Sequence, residues 1–376
     1  MKKILFIHHG LGLGGAEKLR WFLLRNITRN RYDITVCCIG EKGFLGGEIE
    51  KIGYRVDELK KDPNSLNIRV TYALIKYLKK EKPNILHTSL FNSNFHGRIA
   101  SLFCGIPHVI TEEHGEHRQY RGIKFIPYIL ADLFLSRLTD FIVCCSEKIK
   151  DDIIEKEKLS RTKVIAIENC LDTEIYITGL KREDVRGKYN IAKEEIIFIA
   201  VANLKSGKGH DYLIEALQQV QDSGYSFKCF LAGDGPLRET LLRKCRALGL
   251  SDRIFFLGNV ENITDYLNAS DIFILPSFSE GLSIALMEAM FMGLASIVTN
   301  VGSNPDLVKT DVNGIVVAPG DINALKNAII FYLQNKDSIK EFGARSKSII
   351  EVRYSSIGKY RDRYFELWDR CLEARK

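Results

Sequence analysis

The sequence predicts an α/β protein made of two doubly wound, Rossmann-like domains in tandem. Three observations predict it. Short apolar, β-rich runs alternate with stretches of helical periodicity almost throughout, as in a parallel sheet covered on both faces. The alternation lapses around ENCLDTEIYITG (168–179) and then restarts with a second full set of strands. A length of 376 residues is enough for two cores.

In order, KILFIHH, DITVCCIG, NILHTSL, HVITEEH, FIVCCS and KVIAIEN are the strands expected in the first half. Segments such as AEKLRWFLLRNI and VTYALIKYLKKEK are the helices between them, with apolar residues at helical spacing. EIIFIAVAN, SFKCFLAGDG, RIFFLGNV, DIFILPS, ASIVTN and GIVVAP form the second set. The domains expected are 1–172 and 173–354. The chain ends in a helix, about 355–376, in which Tyr360, Tyr364, Leu367 and Trp368 share one core-facing stripe.

Composition narrows the function. No run approaches the roughly 18 apolar residues needed to span a bilayer, and the apolar run after Lys2 and Lys3 is too short for a signal peptide. The nine cysteines sit in apolar contexts without C-x-x-C spacing, so core thiols in a reducing, cytoplasmic compartment are expected rather than disulfides. Residues 1–140 hold 22 Lys/Arg against 14 Asp/Glu, and the remainder 32 against 33. A basic front half implies an anionic partner, either a membrane surface or a phosphorylated acceptor. No recognition-helix or RNP-like signature points to nucleic acid.

Ligands of doubly wound domains bind where strands run into helix N-termini, so glycines just after strands are the candidates. HHGLGLGGAEKL carries Gly10, Gly12, Gly14 and Gly15 after the first strand. The spacing satisfies G-x-G-x-x-G, but the acid a dinucleotide site wants, Glu41, comes about 26 residues after Gly15 instead of about 20. What remains is backbone able to approach a phosphate in front of a helix N-terminus. VANLKSGKGHDYLIEAL repeats the arrangement with Lys205 and Lys208 in the loop, one of them placed to meet an anion. In FLAGDGPLRETL, Pro236 is expected at or near the first helical position.

FSEGLSIALMEAMFMG (278–293) puts Glu280 in a turn and Glu288 in an apolar helix capped by Ser283, about two turns further on, roughly 10 Å along the axis. Between them lie the helix-start amides of Gly281, Leu282 and Ser283, which favour a phosphate. Two carboxylates flanking a diphosphate site match the order hexose, diphosphate, ribose of a nucleotide sugar.

With GGAEK, TEEHGEH, CCSEKIK, ENCLD, VANLKSGKGHDYLIEAL, LAGDGPLRETL, FSEGLSIALMEAM and NGIVVAPGD in this order, the chain resembles a retaining glycosyltransferase of family 4. The resemblance implies the GT-B architecture, two Rossmann-like domains facing a cleft, with the last helix returning to the first domain. It implies that Glu280 meets the donor sugar, Glu288 the ribose and Lys208 the diphosphate. His114 would stand near the anomeric centre, and Gly14 and Gly15 would approach the diphosphate from the other domain. The sequence departs from the pattern at Asn203, where an arginine is usual, at Cys170, where a glycine is usual, and at Ser303 and Asp306, where glycine and glutamate are common. The implied donor is a UDP-sugar and the implied acceptor a lipid-linked glycan or polysaccharide precursor. No metal or cofactor is expected, because the protein supplies the positive field. His114-x-x-His117 lacks the companion cluster that zinc would need.

The segment 117–137 mixes Arg118, Arg121, Lys124 and Arg137 with Phe125, Ile126, Tyr128, Ile129, Leu133 and Phe134. Those apolar residues are either the core face of a helix starting near Pro127 or a surface for peripheral contact with the inner face of an anionic membrane. Two further readings compete. A nucleotide-sugar epimerase or phosphorylase keeps the fold but lacks FSEGLSIALME or needs a much longer chain. A degenerate, non-catalytic subunit is supported by Asn203 alone.

Overall fold

The computed structural model describes residues 1–28, 30–63, 67–115 and 126–373, with the side chains of 126–129 left aside. The chain divides into two compact units, Met1–Cys170 with Ser356–Lys376, and Leu171–Ser355.

The first unit is a seven-stranded parallel sheet in the order β3-β2-β1-β4-β5-β6-β7. Its strands are β1 Lys2–His8, β2 Tyr32–Cys38, β3 Arg55–Glu58, β4 Ile85–Ser89, β5 His108–Glu113, β6 Phe141–Cys144 and β7 Val164–Ala166. β3, with the sequence RVDE, is the strand that apolar patterning does not reveal. It is a four-residue edge strand with one buried side chain, Val56. Helices α1 Gly15–Arg25, α2 Gly43–Lys51, α3 Ile68–Glu81, α4 Phe91–Leu102, α5 Ile126–Leu138 and α6 Glu147–Glu157 connect the strands. Leu5, Ile7, Leu74, Leu78 and Leu86 form part of one core layer.

The second unit is a six-stranded parallel sheet in the order β10-β9-β8-β11-β12-β13. Its strands are β8 Ile197–Val201, β9 Lys228–Ala232, β10 Ile254–Gly258, β11 Ile272–Leu275, β12 Ala295–Thr299 and β13 Gly314–Val317. α7 Arg182–Lys188 precedes the sheet. α8 His210–Asp222, α9 Arg238–Ala247, α10 Ile263–Ala269, α11 Ile284–Phe291, α12 Asn304–Leu307, α13 Ile322–Gln334 and α14 Lys336–Arg353 follow in turn. Phe198, Leu231, Ile274 and Ile297 are fully buried in its centre. Pro236 lies in the turn ahead of α9 and not at its first position, because Gly235 and Leu237 both fold back on Leu204 before the helix starts at Arg238.

The last helix, α15 Ile357–Glu373, belongs to the first unit and buries Tyr360, Tyr364, Leu367 and Trp368. Trp368 is fully enclosed, edge-on to Tyr32 at 5.2 Å and to Phe6 at 5.9 Å. One enclosed tryptophan removes some 150–250 Å² from water, enough to fix the helix on the sheet. All nine cysteines are unpaired thiols, eight of them buried.

Candidate active site

In both sheets the strand order reverses once, between β1 and β4 and between β8 and β11. Loops leaving the carboxyl ends of the two strands at such a point diverge and leave a crevice for a ligand. In the second unit the loop after β8 carries Lys208, and the loop after β11 carries Glu280.

These two side chains meet. Lys208 Nζ donates to Glu280 Oε1 at 2.7 Å, and Ser277 Oγ donates to the same oxygen at 2.6 Å. Ser277 is itself held, its carbonyl accepting from Thr299 Oγ1 at 2.5 Å. The approach depends on two glycines. Gly209 has φ +71, and a Cβ there would lie 1.9 Å from the Pro276 carbonyl oxygen, so only glycine lets the Lys208 loop close onto the end of β11. Gly302 has φ +52, and a Cβ there would lie 2.1 Å from the Glu280 carbonyl oxygen.

Behind Glu280, Ser283 caps α11, its Oγ accepting from the Leu286 amide at 3.3 Å. No acidic residue stands in the first turn, so the positive end of the helix is not offset locally. Because α11 begins only at Ile284, Glu288 is its fifth residue, little more than one turn inside instead of two. It is buried and accepts from Tyr176 Oη at 3.0 Å. Gly281, Leu282 and Ser283 join Glu280 to the start of α11 along the chain. Asn203 is exposed, and its carbonyl accepts from the Lys205 amide at 2.8 Å. Lys205 is also exposed and makes no side-chain bond to Glu280. Ser277 and Tyr176 escape sequence reasoning. The first lies three residues before Glu280, within reach of inspection, but the second is 112 residues from its partner.

The first unit has its own polar cluster. Gly14 precedes α1 without a side-chain cap, and Gly15 is exposed at its first position. The Glu17 carboxylate folds back over this loop, so that a Cβ on Gly14 would meet it at 2.2 Å. Further along α1, the buried Arg20 sends Nη2 to Glu112 Oε2 at 2.7 Å and Nε to His8 Nε2 at 3.0 Å, with its guanidinium 3.6 Å above the ring of Phe6. Glu112, next to last in β5, also accepts from Ser89 Oγ at 2.5 Å, Tyr364 Oη at 2.9 Å and His114 Nε2 at 3.1 Å. His87 Nε2 lies 3.0 Å from its other oxygen.

Burial alone would raise the Glu112 carboxyl, but Arg20 and the adjoining histidines hold it well below the usual carboxylate range. Burial pushes His8 and His87 down, so both are neutral rings. Sequence reasoning singled out His114 but missed Glu112, which lies two residues away in the same motif, and Arg20, which helical spacing places on the core side of α1. His117 and Arg118, Arg121, Lys124 and Phe125 lie outside the described residues. Of the rest of that segment, Phe134 is exposed and not core-facing, because Leu135, Asp132 and Ser136 occupy the inner face of α5. Among the described residues no group of three His, Cys, Asp or Glu is arranged to hold a metal, and no helix is long and apolar enough to cross a membrane.

Two family models match the chain, "Glycosyltransferase Family 4" over residues 13–175 and "Glycosyl transferases group 1" over residues 181–349. An Escherichia coli protein named UDP-Gal:alpha-D-GlcNAc-diphosphoundecaprenol alpha-1,3-galactosyltransferase is 28% identical over 367 residues, 94% of either chain. N-acetyl-alpha-D-glucosaminyl L-malate synthase of Bacillus anthracis is 25% identical over 61% of this chain and 60% of its own. Among solved structures, Anabaena HepE in complex with UDP and glucose superposes with a TM-score of 0.84 at 19% identity, covering 98% of this chain and all of its own. A glycosyltransferase from Rickettsia africae gives 0.78 at 21% identity, covering 99% of both. The fold is therefore GT-B, with two Rossmann-like parallel-sheet units. With the two family models spanning the two units in order, the chain belongs to the family 4 glycosyltransferases.

Proposed function

We propose that this glycosyltransferase moves a sugar from a UDP-sugar to a hydroxyl of a lipid-linked, diphosphate-bearing glycan, with retention of configuration. The Lys208–Glu280 pair at the β8/β11 reversal carries the reading: one cation and one carboxylate, held by Ser277 and two glycines, in front of a helix N-terminus. The name of the Escherichia coli relative, which specifies a UDP-sugar and a GlcNAc-diphosphoundecaprenol acceptor, supports the choice of both substrates.

In this reading Glu280 accepts hydroxyl hydrogens of the donor sugar, and Glu288, with Tyr176, takes those of the ribose. Lys208, the backbone amides of Gly281, Leu282 and Ser283 and the N-terminus of α11 behind them stabilise the charge that grows on the diphosphate as the bond to the anomeric carbon breaks. The acceptor hydroxyl attacks from the face the diphosphate leaves, and its proton passes to the departing phosphate oxygen. Neither glutamate is needed as a nucleophile. Retaining glycosidases place two carboxylates about 5 Å apart across the bond being cleaved, whereas here each serves one end of the donor. Gly14 and Gly15 contribute backbone amides to the diphosphate, His114 contacts the sugar near its reacting carbon, and Asn203 lines the loop where an arginine is usual. The positive field comes from the protein, so the transfer is independent of metal.

A lipid-linked acceptor implies contact with a membrane, on its cytoplasmic face. Leu130, Phe134 and Leu138 are exposed at helical spacing on α5 beside Arg137, a stripe suited to an anionic bilayer. Sedimentation with anionic liposomes at low salt tests this, and failure to bind removes the membrane contact. The transfer itself is tested with UDP-, GDP- and ADP-sugars and a synthetic polyprenyl-diphosphate GlcNAc, with and without EDTA. An α-linked product from one UDP-sugar, at a rate EDTA does not change, supports the reading. A β-linked product or EDTA-abolished transfer refutes its mechanism.

A further inference from the structure

Glu112 gathers side chains from three elements of the first unit and from one loop. Its donors come from α1 (Arg20), β4 (Ser89), α15 (Tyr364) and the loop after β5 (His114). A buried carboxylate costs several kcal/mol in lost hydration, and apolar residues of similar volume often stabilise a core as well or better. Stability alone therefore does not account for a hub of this kind. Arg20 balances its charge, and the neutral His87 brings a ring to its second oxygen, with His87 Nδ1 accepting from Trp368 Nε1 at 3.4 Å. Arg20, Ser89, Tyr364 and His114, the groups hydrogen-bonded to Glu112, all donate toward it, since an ionised carboxylate can only accept.

His114 is the member of this cluster that is not fully enclosed. Since Glu112 accepts, the His114 ring donates from Nε2, and in the neutral ring the lone pair is then on Nδ1. That Nδ1 is buried and has no hydrogen-bond partner among the described residues. A buried acceptor in this position can be completed by a ligand hydroxyl.

We propose that Glu112 is the positioning residue of His114. Its Oε2 takes the Nε2 hydrogen and fixes the ring as the tautomer whose Nδ1 accepts a hydrogen from a hydroxyl of the sugar substrate. Arg20, Ser89 and Tyr364 hold Glu112 in place, so the C-terminal helix takes part in orienting the histidine. The assignment rests on the proposed function insofar as His114 meets substrate; the tautomer itself does not.

The test is side-chain ¹⁵N–¹³C correlation spectroscopy of the histidines in the wild-type chain near neutral pH, with His114 assigned through a His114→Asn variant. The expected result is a single Nε2–H tautomer for His114, with its Nδ1 resonance moving when UDP-galactose or UDP-glucose is added. An Nδ1–H tautomer, a mixture, or an imidazolium overturns the positioning role, and this measurement needs no variant at Glu112. Turnover of the same donors then follows for His114→Ala, Glu112→Gln and the double variant. Positioning predicts that each single variant loses about tenfold to a hundredfold in kcat and that the double loses no more than either alone. Under positioning, Glu112→Gln leaves the donor KM within about threefold. Independent, additive losses overturn the proposal. A fully active His114→Ala with the expected tautomer overturns instead the placing of His114 at the reaction centre.

Discussion

Lys208 Nζ and Glu280 Oε1 stand 2.7 Å apart, 72 residues apart in the chain. The two charges offset each other, yet the contact does not exhaust either partner. An ammonium has three hydrogens and a carboxylate two oxygens, so two N–H groups and Oε2 stay available to a phosphate and a hydroxyl. Replacing Lys208 with alanine removes a charge-assisted donor worth about 1.5–3 kcal/mol. UDP should then bind about tenfold to a hundredfold more weakly by calorimetry, with the fold intact by circular dichroism.

The approach of the two loops rests on Gly209. Gly209→Ala should cost more than about 2 kcal/mol in chemical denaturation, because a positive φ and contact with the Pro276 carbonyl oxygen combine. Gly207, two residues earlier, has φ +90 but open space around it. Gly207→Ala should cost only about 1–2 kcal/mol, the conformational part alone. Equal losses at the two positions would mean that the close approach matters little.

Glu288 and Tyr176 form the second end of the proposed donor site. Tyr176→Phe deletes one hydrogen bond to a buried carboxylate, worth about 1.5–3 kcal/mol when the acceptor is charged. UDP affinity should fall in that variant while 5′-diphosphate compounds lacking the ribose hydroxyls bind as before. A uniform loss for both ligands would place Tyr176 in packing and not in ribose contact.

His210, buried at the start of α8, has its ring pushed down to about 4 by burial. In the unfolded chain a histidine titrates near about 6.5. Between these values the unfolded state binds a proton that the folded state refuses, so stability falls as pH drops from about 6.5 towards 4. The slope from this residue approaches about 1.4 kcal/mol per pH unit. Denaturation midpoints of wild type and His210→Gln at pH 7.5 and 5.0 check this, and the variant should show the smaller change with pH.

Much of this fold was legible in the sequence because parallel strands buried on both faces read as continuous apolar runs. IFIAV, KCFLA, IFIL and ASIVT are such runs, and each became a strand. RVDE was illegible because an edge strand can be polar. Glu280, Glu288 and Lys208 could be singled out because their loops have local signatures: a glycine turn, a cap, an apolar helix interrupted by charge. Tyr176, Arg20 and Tyr364 could not. Their partners lie 112, 92 and 252 residues away, and tertiary contacts at such separations leave no local pattern. The exposure of Phe134 was also hidden, since the periodicity of α5 fits either face inward until Asp132 is seen paired with Arg98 inside.

The central claim is that Glu280 serves the donor sugar and not merely the fold. The most direct measurement compares wild type with Glu280→Gln for UDP release from the UDP-sugar the enzyme accepts, alongside UDP binding by calorimetry. The account predicts a fall in kcat of about a hundredfold or more with UDP affinity little changed. Unchanged turnover in Glu280→Gln, with the variant folded, would contradict it.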